Sequence, residues 1–163
     1  MSGAVAGLIA SVKSGSAPEP TNLVLNPSFT TNIVGWTDGY GNAERNTSFF
    51  RSAPASLYSY FDGDNLPLAT YNRSSAVSLS EAYSFSAWIL NSATRNFRIE
   101  LTLGGIYYFT DVSVPASASW QYIKLENKVA GATGNLVVSV LPFIEDSFYI
   151  DDVSLVLGAT ALP

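Results

Sequence analysis

The sequence predicts an all-β fold, either a sandwich or a barrel. Around ten short apolar segments recur at intervals of roughly 8–12 residues with turn residues between them. Aromatic residues make up 13% of the 163-residue chain, and aromatic side chains favour pleated strands. Charged residues make up only 13%, and the length is that of one domain with a full core.

The first predicted strands are bounded by residues that break strands. They are Asn22–Asn26, Ile33–Tyr40, Asn46–Arg51 and Ser56–Asp62. Pro27 ends the first segment, and the Asp38-Gly39 pair predicts a turn at the end of the second. Pro54 separates the third and fourth segments, which indicates a hairpin or a bulge.

The later strands are longer and alternate more clearly. They are Ala76–Leu79, Ala82–Leu90, Phe97–Leu103, Ile106–Val114, Trp120–Asn127, Asn135–Leu141 and Phe148–Leu157. Gly104 and Gly105 lie between two of them and predict a tight hairpin. Gly131 and Gly134 mark another loop.

Residues 1–20 differ in composition from the rest and form a predicted attachment arm before Pro18-Glu19-Pro20. The spacing of four apolar residues predicts one stripe of a short helix. These residues are Val5, Leu8, Ile9 and Val12. A helix this short needs a partner surface in water. The alternative is a cleaved signal peptide, but no Lys or Arg precedes the apolar stretch, and Lys13 follows it.

Composition excludes several functional classes. The chain has no histidine and no cysteine, so it has no Ser-His-Asp triad, disulfide or zinc-thiolate cluster. The net charge is −5, which argues against nucleic acid as a partner. No apolar run approaches the roughly 20 residues of a membrane-spanning helix, so no membrane partner is expected.

Three segments together resemble carbohydrate-binding modules of the families four and nine type. Residues 22–29 with Gly35-Trp36 are similar to the opening strands of those modules. Residues 83–88 look like their central strand, and residues 148–155 like their closing strand. The resemblance covers residues 21–158, with 159–163 as a C-terminal tail. It implies a jelly-roll β-sandwich of two antiparallel sheets with the first and last strands adjacent.

The resemblance also implies a structural calcium ion between the first and last strands. The expected ligands here are Asn26, Thr30 and Asp152. Thr30 stands where the family has a glutamate, which removes one carboxylate from a cation that prefers six to eight oxygens. Backbone carbonyls and Asp152 remain available, so we expect at most one structural calcium ion and no other cofactor.

A carbohydrate site needs flat aromatic rings for the apolar faces of sugars and polar groups for their hydroxyls. Alternation gives several predicted strands one apolar face and one mixed face. If these strands are neighbours in one sheet, their mixed faces form one surface. The candidate residues are Tyr58, Tyr60, Trp88, Arg98, Glu100, Tyr122 and Lys124. Alternatively, Trp88 packs beneath the arm or a loop, the charged residues are a solvated face, or the patch contacts protein.

Two functional hypotheses follow, and neither involves catalysis. The first is a bacteriophage decoration or tail protein that is held by residues 1–20 to other virion proteins. Its jelly roll would lie at the virion surface and contact host polysaccharide, and the protein would form a homo-oligomer. The second is a secreted, free-standing carbohydrate-binding protein. We expect no enzymatic activity, because none of the acidic residues lies in a recognisable catalytic motif and the resembled modules are non-catalytic.

Overall fold

The structure is a computed structural model that describes residues 21–37, 42–64 and 67–163. The predicted attachment arm, residues 1–20, lies outside the described residues. The strands are β1 (Trp36–Thr37), β2 (Asn42–Asn46), β3 (Ser56–Tyr60), β4 (Ala69–Val77), β5 (Ala82–Leu90), β6 (Arg95–Leu103), β7 (Ile106–Val114), β8 (Gln121–Val129), β9 (Gly134–Pro142) and β10 (Phe148–Leu157).

The ten strands form two five-stranded sheets whose paired strands are all antiparallel. Sheet A has the order β2-β3-β10-β5-β8, and sheet B has the order β1-β4-β9-β6-β7. This arrangement confirms the predicted jelly-roll β-sandwich. Within the described ranges, no helix is long and apolar enough to cross a membrane.

The core lies between the two sheets, as alternation along the strands requires. Sheet A contributes Leu57, Phe85, Ile89 and Ile150, and sheet B contributes Tyr71, Ile99, Leu101 and Val138. Trp36 is also buried and lies 5.4 Å from Phe29 and 5.4 Å from Tyr71, between ring centroids. Each strand therefore has one face committed to the core, and only the two outer faces remain for binding.

Three of the predicted strands have the observed bounds, namely β5, β7 and β10. The predicted tight hairpin between β6 and β7 is also confirmed. Gly104 and Gly105 have positive φ angles of 52° and 87°, which a two-residue hairpin turn of the primed type requires. Leu103 pairs with Ile106 across this turn.

Other predicted boundaries are wrong. Residues 22–26 form no strand; Asn22 makes one isolated bridge to Val156, and Asn26 has a φ of 58°. The segment predicted at 33–40 contributes only β1, and residues 38–40 fall outside the described residues. Asn46 ends β2 rather than beginning a strand, because its side-chain Oδ1 accepts hydrogen bonds from the N–H groups of Ser48 and Phe49.

The strand β4 is the largest omission. Only its end was predicted, as Ala76–Leu79, whereas β4 begins at Ala69. Its polar stretch, Asn72–Ser75, hides the alternation, and the register with β9 shifts between Arg73 and Val77. A bulge of this kind breaks the two-residue period on which the prediction depends.

The first segment nevertheless lies beside the last strand, as the resemblance implied. Asn22 donates from Nδ2 to the Val153 carbonyl at 2.9 Å and accepts from the Leu155 N–H at 3.0 Å. The tail, residues 159–163, packs against the outer face of sheet A, where the Leu162 carbonyl accepts a 2.9 Å hydrogen bond from the Tyr122 hydroxyl. The first segment thus pairs with β10, and the tail covers part of the outer face of sheet A.

Candidate functional site

The seven predicted site residues do not share one surface. Tyr58, Tyr60, Trp88, Tyr122 and Lys124 lie on strands of sheet A. Arg98 and Glu100 lie on β6 of sheet B. The condition for one shared surface, that these strands are neighbours in one sheet, is therefore not met, because β6 pairs with β7 and β9 rather than with β5. The two groups occupy opposite outer faces of the sandwich.

On sheet A, Trp88 is half-buried and already has a partner. The guanidinium carbon of Arg51 lies 3.9 Å from the centre of the Trp88 ring, and the Tyr122 ring lies 5.2 Å from it, at a 51° tilt. Arg51 is held in place by the Asp152 carboxylate at 2.5 Å. A sugar that stacked on this face of Trp88 would have to displace a cation that has both an aromatic and a carboxylate partner.

Lys124, at the edge of sheet A, also has a partner. Its ammonium lies 2.7 Å from Glu126, and it is half-exposed. The hydrogen bond to Glu126 raises the pKa of Lys124, and the same bond lowers the pKa of Glu126. Glu126 in turn accepts a 3.0 Å hydrogen bond from the Ala161 N–H and so anchors the tail.

Tyr58 and Tyr60 belong to a row of aromatic rings at the other end of sheet A. The Tyr58 ring stacks on Tyr60 at 5.3 Å and on Tyr149 at 4.6 Å, and Phe49 lies 5.2 Å beyond Tyr149. A cavity of about 550 Å³ lies beside this row, and we call it the tyrosine cavity. Phe49, Tyr58, Leu90, Asn91, Ser92, Ser117, Ala118, Asp146, Ser147 and Tyr149 line it.

The residues expected to bind calcium do not fit a calcium ion. The Asp152 carboxylate accepts hydrogen bonds from Ser28 at 2.9 Å, Ser52 at 2.6 Å and the Arg51 guanidinium. Thr30 is exposed, and its carbonyl accepts a 2.7 Å hydrogen bond from Arg45. A cation at either position repels calcium and takes an oxygen that the ion would need.

The third expected ligand, Asn26, points its amide toward Asn32. Its Nδ2 donates to the Asn32 carbonyl and, at 3.2 Å, to the Asn32 Oδ1. Within the described part of the chain, no group of three acidic residues is placed to hold a metal ion. Arg45 holds the first segment and Arg51 holds Asp152, while the first and last segments meet directly through the hydrogen bond from Ser28 to Asp152.

The outer face of sheet B carries a second group of aromatic and polar residues, which we call the aromatic face. It consists of Arg98 and Glu100 on β6 with Tyr107, Phe109 and Asp111 on β7. The rings of Tyr107 and Phe109 stack at 5.8 Å with an interplanar angle of 30°. Tyr107 and Phe109 expose 49% and 53% of their surface.

The polar groups of the aromatic face hold each other in fixed orientations. Arg98 donates two hydrogen bonds to Asp111, at 2.8 and 3.0 Å, in the parallel geometry of a bidentate pair. The Arg98 guanidinium also lies 4.6 Å from the Phe109 ring centre. The Tyr107 hydroxyl donates to Glu100 at 2.6 Å.

These contacts keep Arg98 and Asp111 charged and Tyr107 neutral at neutral pH. The hydrogen bond to Arg98 lowers the pKa of Asp111, and the hydrogen bond to Asp111 raises the pKa of Arg98, so both stay charged. Partial burial and then the hydrogen bond to Glu100 raise the pKa of Tyr107 to about 12, so its phenol stays neutral. The aromatic face thus offers two flat rings with a fixed guanidinium and two carboxylates around them.

Next to these rings, β9 and β4 present small hydroxyl residues. Ser139 lies opposite Glu100 in the register and opposite Thr70 on the other side. The hydroxyls of Ser139 and Thr70 are 3.2 Å apart. The large rings on the edge strand β7 therefore lie beside the small hydroxyl side chains of Ser139 and Thr70 in the middle of the sheet.

Tyr107 and Phe109 were missed because both faces of β7 carry aromatic or large apolar side chains. Ile106 and Tyr108 alternate with Tyr107 and Phe109, so apolarity alone does not tell which face is outward. The signal that could have found them is Asp111, which lies on the same face of β7 as Tyr107 and Phe109 because the three residues are spaced two apart. A carboxylate at that position indicates the solvent face.

Comparison with known proteins identifies the fold. No protein-family model and no curated protein sequence matches the chain. Among solved structures, a family 61 carbohydrate-binding module in complex with β-1,4-galactotriose has 17% identity and a TM-score of 0.65, with 85% of this chain and 99% of that module covered. The family 22 xylan-binding domain of Paenibacillus barcinonensis xylanase has 14% identity and a TM-score of 0.65, with 90% and 100% covered.

The chain therefore has the jelly-roll fold of carbohydrate-binding modules, and the predicted resemblance to such modules is confirmed at the level of the fold. The enzymatically active domain of tailspike protein 4 from bacteriophage CBA120 also contains this fold. It has 17% identity and a TM-score of 0.59, with 84% of this chain but only 21% of that chain covered.

Proposed function

We propose that this protein is a non-catalytic carbohydrate-binding protein that binds a polysaccharide on the aromatic face of sheet B. The observation that carries the proposal is the stacked, half-exposed pair of Tyr107 and Phe109 beside fixed polar groups. An exposed aromatic pair on a solvent face costs solubility and calls for a functional explanation. The fold shared with carbohydrate-binding modules supports the choice of ligand.

The geometry suits a sugar chain. The apolar face of a pyranose packs on a flat aromatic ring, and Tyr107 and Phe109 leave about half of their surface open for such a contact. Around the rings, Glu100 and Asp111 accept hydrogen bonds from sugar hydroxyls, and Arg98 donates them. Because the face is open rather than a closed pocket, it fits an extended chain better than a single sugar.

Several features support a binding rather than a hydrolytic role. A glycosidase needs a carboxylic acid with a raised pKa that can protonate the leaving group. On the aromatic face the pKa of Asp111 is lowered, which is the opposite of what a general acid requires. Burial raises the pKa of Asp151 to about 6, but Asp151 is fully buried and accepts backbone hydrogen bonds from Arg51 and Ser52.

The test is binding to soluble xylan and β-1,4-galactan, measured by affinity electrophoresis and calorimetry. Phe109→Ala should weaken binding about threefold to tenfold, from the loss of one aromatic contact worth about 0.5–1.5 kcal/mol. The matched control is Phe50→Ala, because Phe50 is also exposed but lies in the loop between β2 and β3 and not on a strand of sheet B. Equal affinities of the two variants would contradict the proposal. Release of reducing sugar on incubation would contradict the non-catalytic role.

A second candidate function is a component of a bacteriophage particle. The observation that favours it is the tailspike protein that contains this fold as a fifth of its chain. In this role residues 1–20 attach a homo-oligomer to other virion proteins, and the jelly roll contacts host glycans at the virion surface. The alternative is a secreted, free-standing carbohydrate-binding protein.

The two locations are separated by light scattering of the full chain and of residues 21–163. A defined oligomer that becomes a monomer on truncation supports the virion role. If both forms are monomers, the arm has no role in self-association, and the secreted alternative gains support.

A further inference from the structure

We propose that the tyrosine cavity on sheet A is a second binding site, which takes one or two units of a neutral sugar. This inference goes beyond the polysaccharide surface proposed above, because the two sites lie on opposite sheets and share no residue. A volume of about 550 Å³ lies within the range of small-ligand pockets, roughly 300–1,000 Å³. It is too small for a long chain.

The first observation is an exposed apolar ring at the mouth of the cavity. Phe49 exposes 53% of its surface although it follows a well-ordered turn. The Phe49 carbonyl accepts a hydrogen bond from the buried Ser56 hydroxyl at 2.5 Å, so the loop is anchored to β3. The Phe49 backbone is thus held at its N–H and at its carbonyl, and about half of the residue stays exposed beside the cavity, where a sugar can contact the ring.

The second observation is a buried acceptor without a donor. Asn91 is 4% exposed and lines the cavity. Its Nδ2 donates to the Ala93 carbonyl, but its Oδ1 accepts no hydrogen bond from any described residue. Because this oxygen is covered and lacks a donor, a ligand hydroxyl that takes the place of its present cover supplies the missing hydrogen bond.

The third observation is a pair of adjacent phenols. The rings of Tyr58 and Tyr149 are 4.6 Å apart and nearly parallel, which places two hydroxyl-bearing rings side by side on the cavity wall. Burial raises the pKa of Tyr149, so its hydroxyl stays protonated and can donate. Hydroxyls that both donate and accept are the natural partners of vicinal sugar hydroxyls.

The charge of the cavity favours a neutral ligand. The one carboxylate in the lining is Asp146, and Arg95 donates to it at 2.8 Å. Its other oxygen accepts the N–H of Ser147 at 2.9 Å. The remaining polar lining consists of serine hydroxyls, the Asn91 amide and the hydroxyls of Tyr58 and Tyr149. With its only carboxylate neutralised, the cavity offers neither a cation nor an anion site.

The experiment is a titration of the full ¹⁵N-labelled chain with galactose, lactose, xylose and xylobiose, followed by amide chemical shifts. At dissociation constants on the order of 1–10 mM, which are typical of weak sugar sites of about −3 to −4 kcal/mol, saturable shifts are measurable. We expect shifts at residues 49, 91–92, 117–118 and 147. Phe49→Ala should weaken this binding about threefold to tenfold, and Tyr149→Phe, which removes only a hydroxyl, should also weaken it.

Two controls separate this site from the aromatic face. Phe109→Ala should leave the shifts at residues 91–92 and 147 unchanged, and Phe49→Trp should retain binding because it keeps an aromatic ring. Shifts that occur only around residues 98–111, or no saturable shift for any of the four sugars, would overturn the second site. Shifts only around residues 98–111 would still support the proposed polysaccharide site on sheet B. The two proposals can therefore be contradicted independently of each other.

Discussion

Both outer faces of the sandwich carry aromatic side chains placed there by alternation, but the two faces differ in how far those rings are exposed to solvent. Sheet A places Trp88 outward, where Arg51 and Tyr122 contact its ring and the tail bonds to Tyr122. Sheet B places Phe109 outward with about half of its surface in solvent. Both aromatic rings face a guanidinium that is paired with an aspartate, yet only one ring remains accessible. Exposure after the loops and tail have packed, rather than position in a strand, therefore decides which face is a binding candidate.

The carboxylates of the two faces show the same contrast. On sheet A, burial raises the pKa of Asp151 to about 6. On sheet B, the hydrogen bond to Arg98 lowers the pKa of Asp111. At neutral pH the ionised Asp151 therefore destabilises the folded state on the covered face, whereas the ionised Asp111 is stabilised by Arg98 on the open face.

The largest expected effect is the pH dependence of stability that comes from Asp151. Its folded pKa of about 6 exceeds the model-peptide value of 3.8, so between about pH 4 and 6 the folded state binds more protons than the unfolded state. The contribution of Asp151 to stability therefore falls as pH rises through this interval, by up to about 3 kcal/mol. Urea unfolding at pH 4, 5, 6 and 7 measures it.

The matched variant is Asp151→Asn, which removes the titration. The difference in unfolding free energy between the native chain and this variant should shift in favour of the variant from pH 4 to pH 6. If the unfolding free energies of the two proteins changed with pH in parallel, burial would not raise the pKa of Asp151. This contrast between the two faces would then be wrong.

The next effect compares the two arginines. Arg51→Ala removes the cation from a largely buried Asp152 and from the Trp88 ring, which should cost about 2 kcal/mol of unfolding free energy. Arg98→Ala breaks a more exposed pair and should cost less. Urea titrations at pH 7 compare the two. A larger loss for Arg98→Ala would mean that sheet B, not sheet A, depends on its guanidinium for stability.

The smallest expected effect is that of calcium. Because Arg45 bonds to the Thr30 carbonyl and Arg51 to the Asp152 carboxylate, at two of the three expected ligands, millimolar calcium or a chelator should leave the thermal midpoint unchanged. Thermal denaturation with calcium, with magnesium and with a chelator checks this. A midpoint that rises with calcium but not with magnesium would show a specific calcium site. It would contradict the conclusion that the expected ligands do not fit a calcium ion.

The sequence predicted the fold class and several strands well because those depend on local patterns. The period-two alternation in β5 and the Gly104-Gly105 pair are both local, and both are confirmed. The bulged strand β4 was mostly missed, since Ser75 with a φ of 53° and the shifted register interrupt its alternation.

The site was harder to predict because it depends on which strands become neighbours. Alternation correctly placed Trp88 and Arg98 on outward faces, but it could not show that β5 and β6, consecutive in sequence, belong to different sheets. Nor could it show that Arg51, 37 residues before Trp88, covers that ring. Both facts depend on long-range packing that a single sequence does not display.

The most direct test of the central claim compares two matched double variants in polysaccharide binding. Tyr107→Ala/Phe109→Ala removes an aromatic pair from the open face of sheet B, and Trp88→Ala/Tyr122→Ala removes the contacting aromatic pair from the covered face of sheet A. With xylan or galactan, whichever binds the native chain, the first variant should lose at least about tenfold in affinity, from two aromatic contacts. The second should stay within about threefold of the native value. If the sheet A variant loses binding and the sheet B variant keeps it, the open aromatic face is not the polysaccharide site.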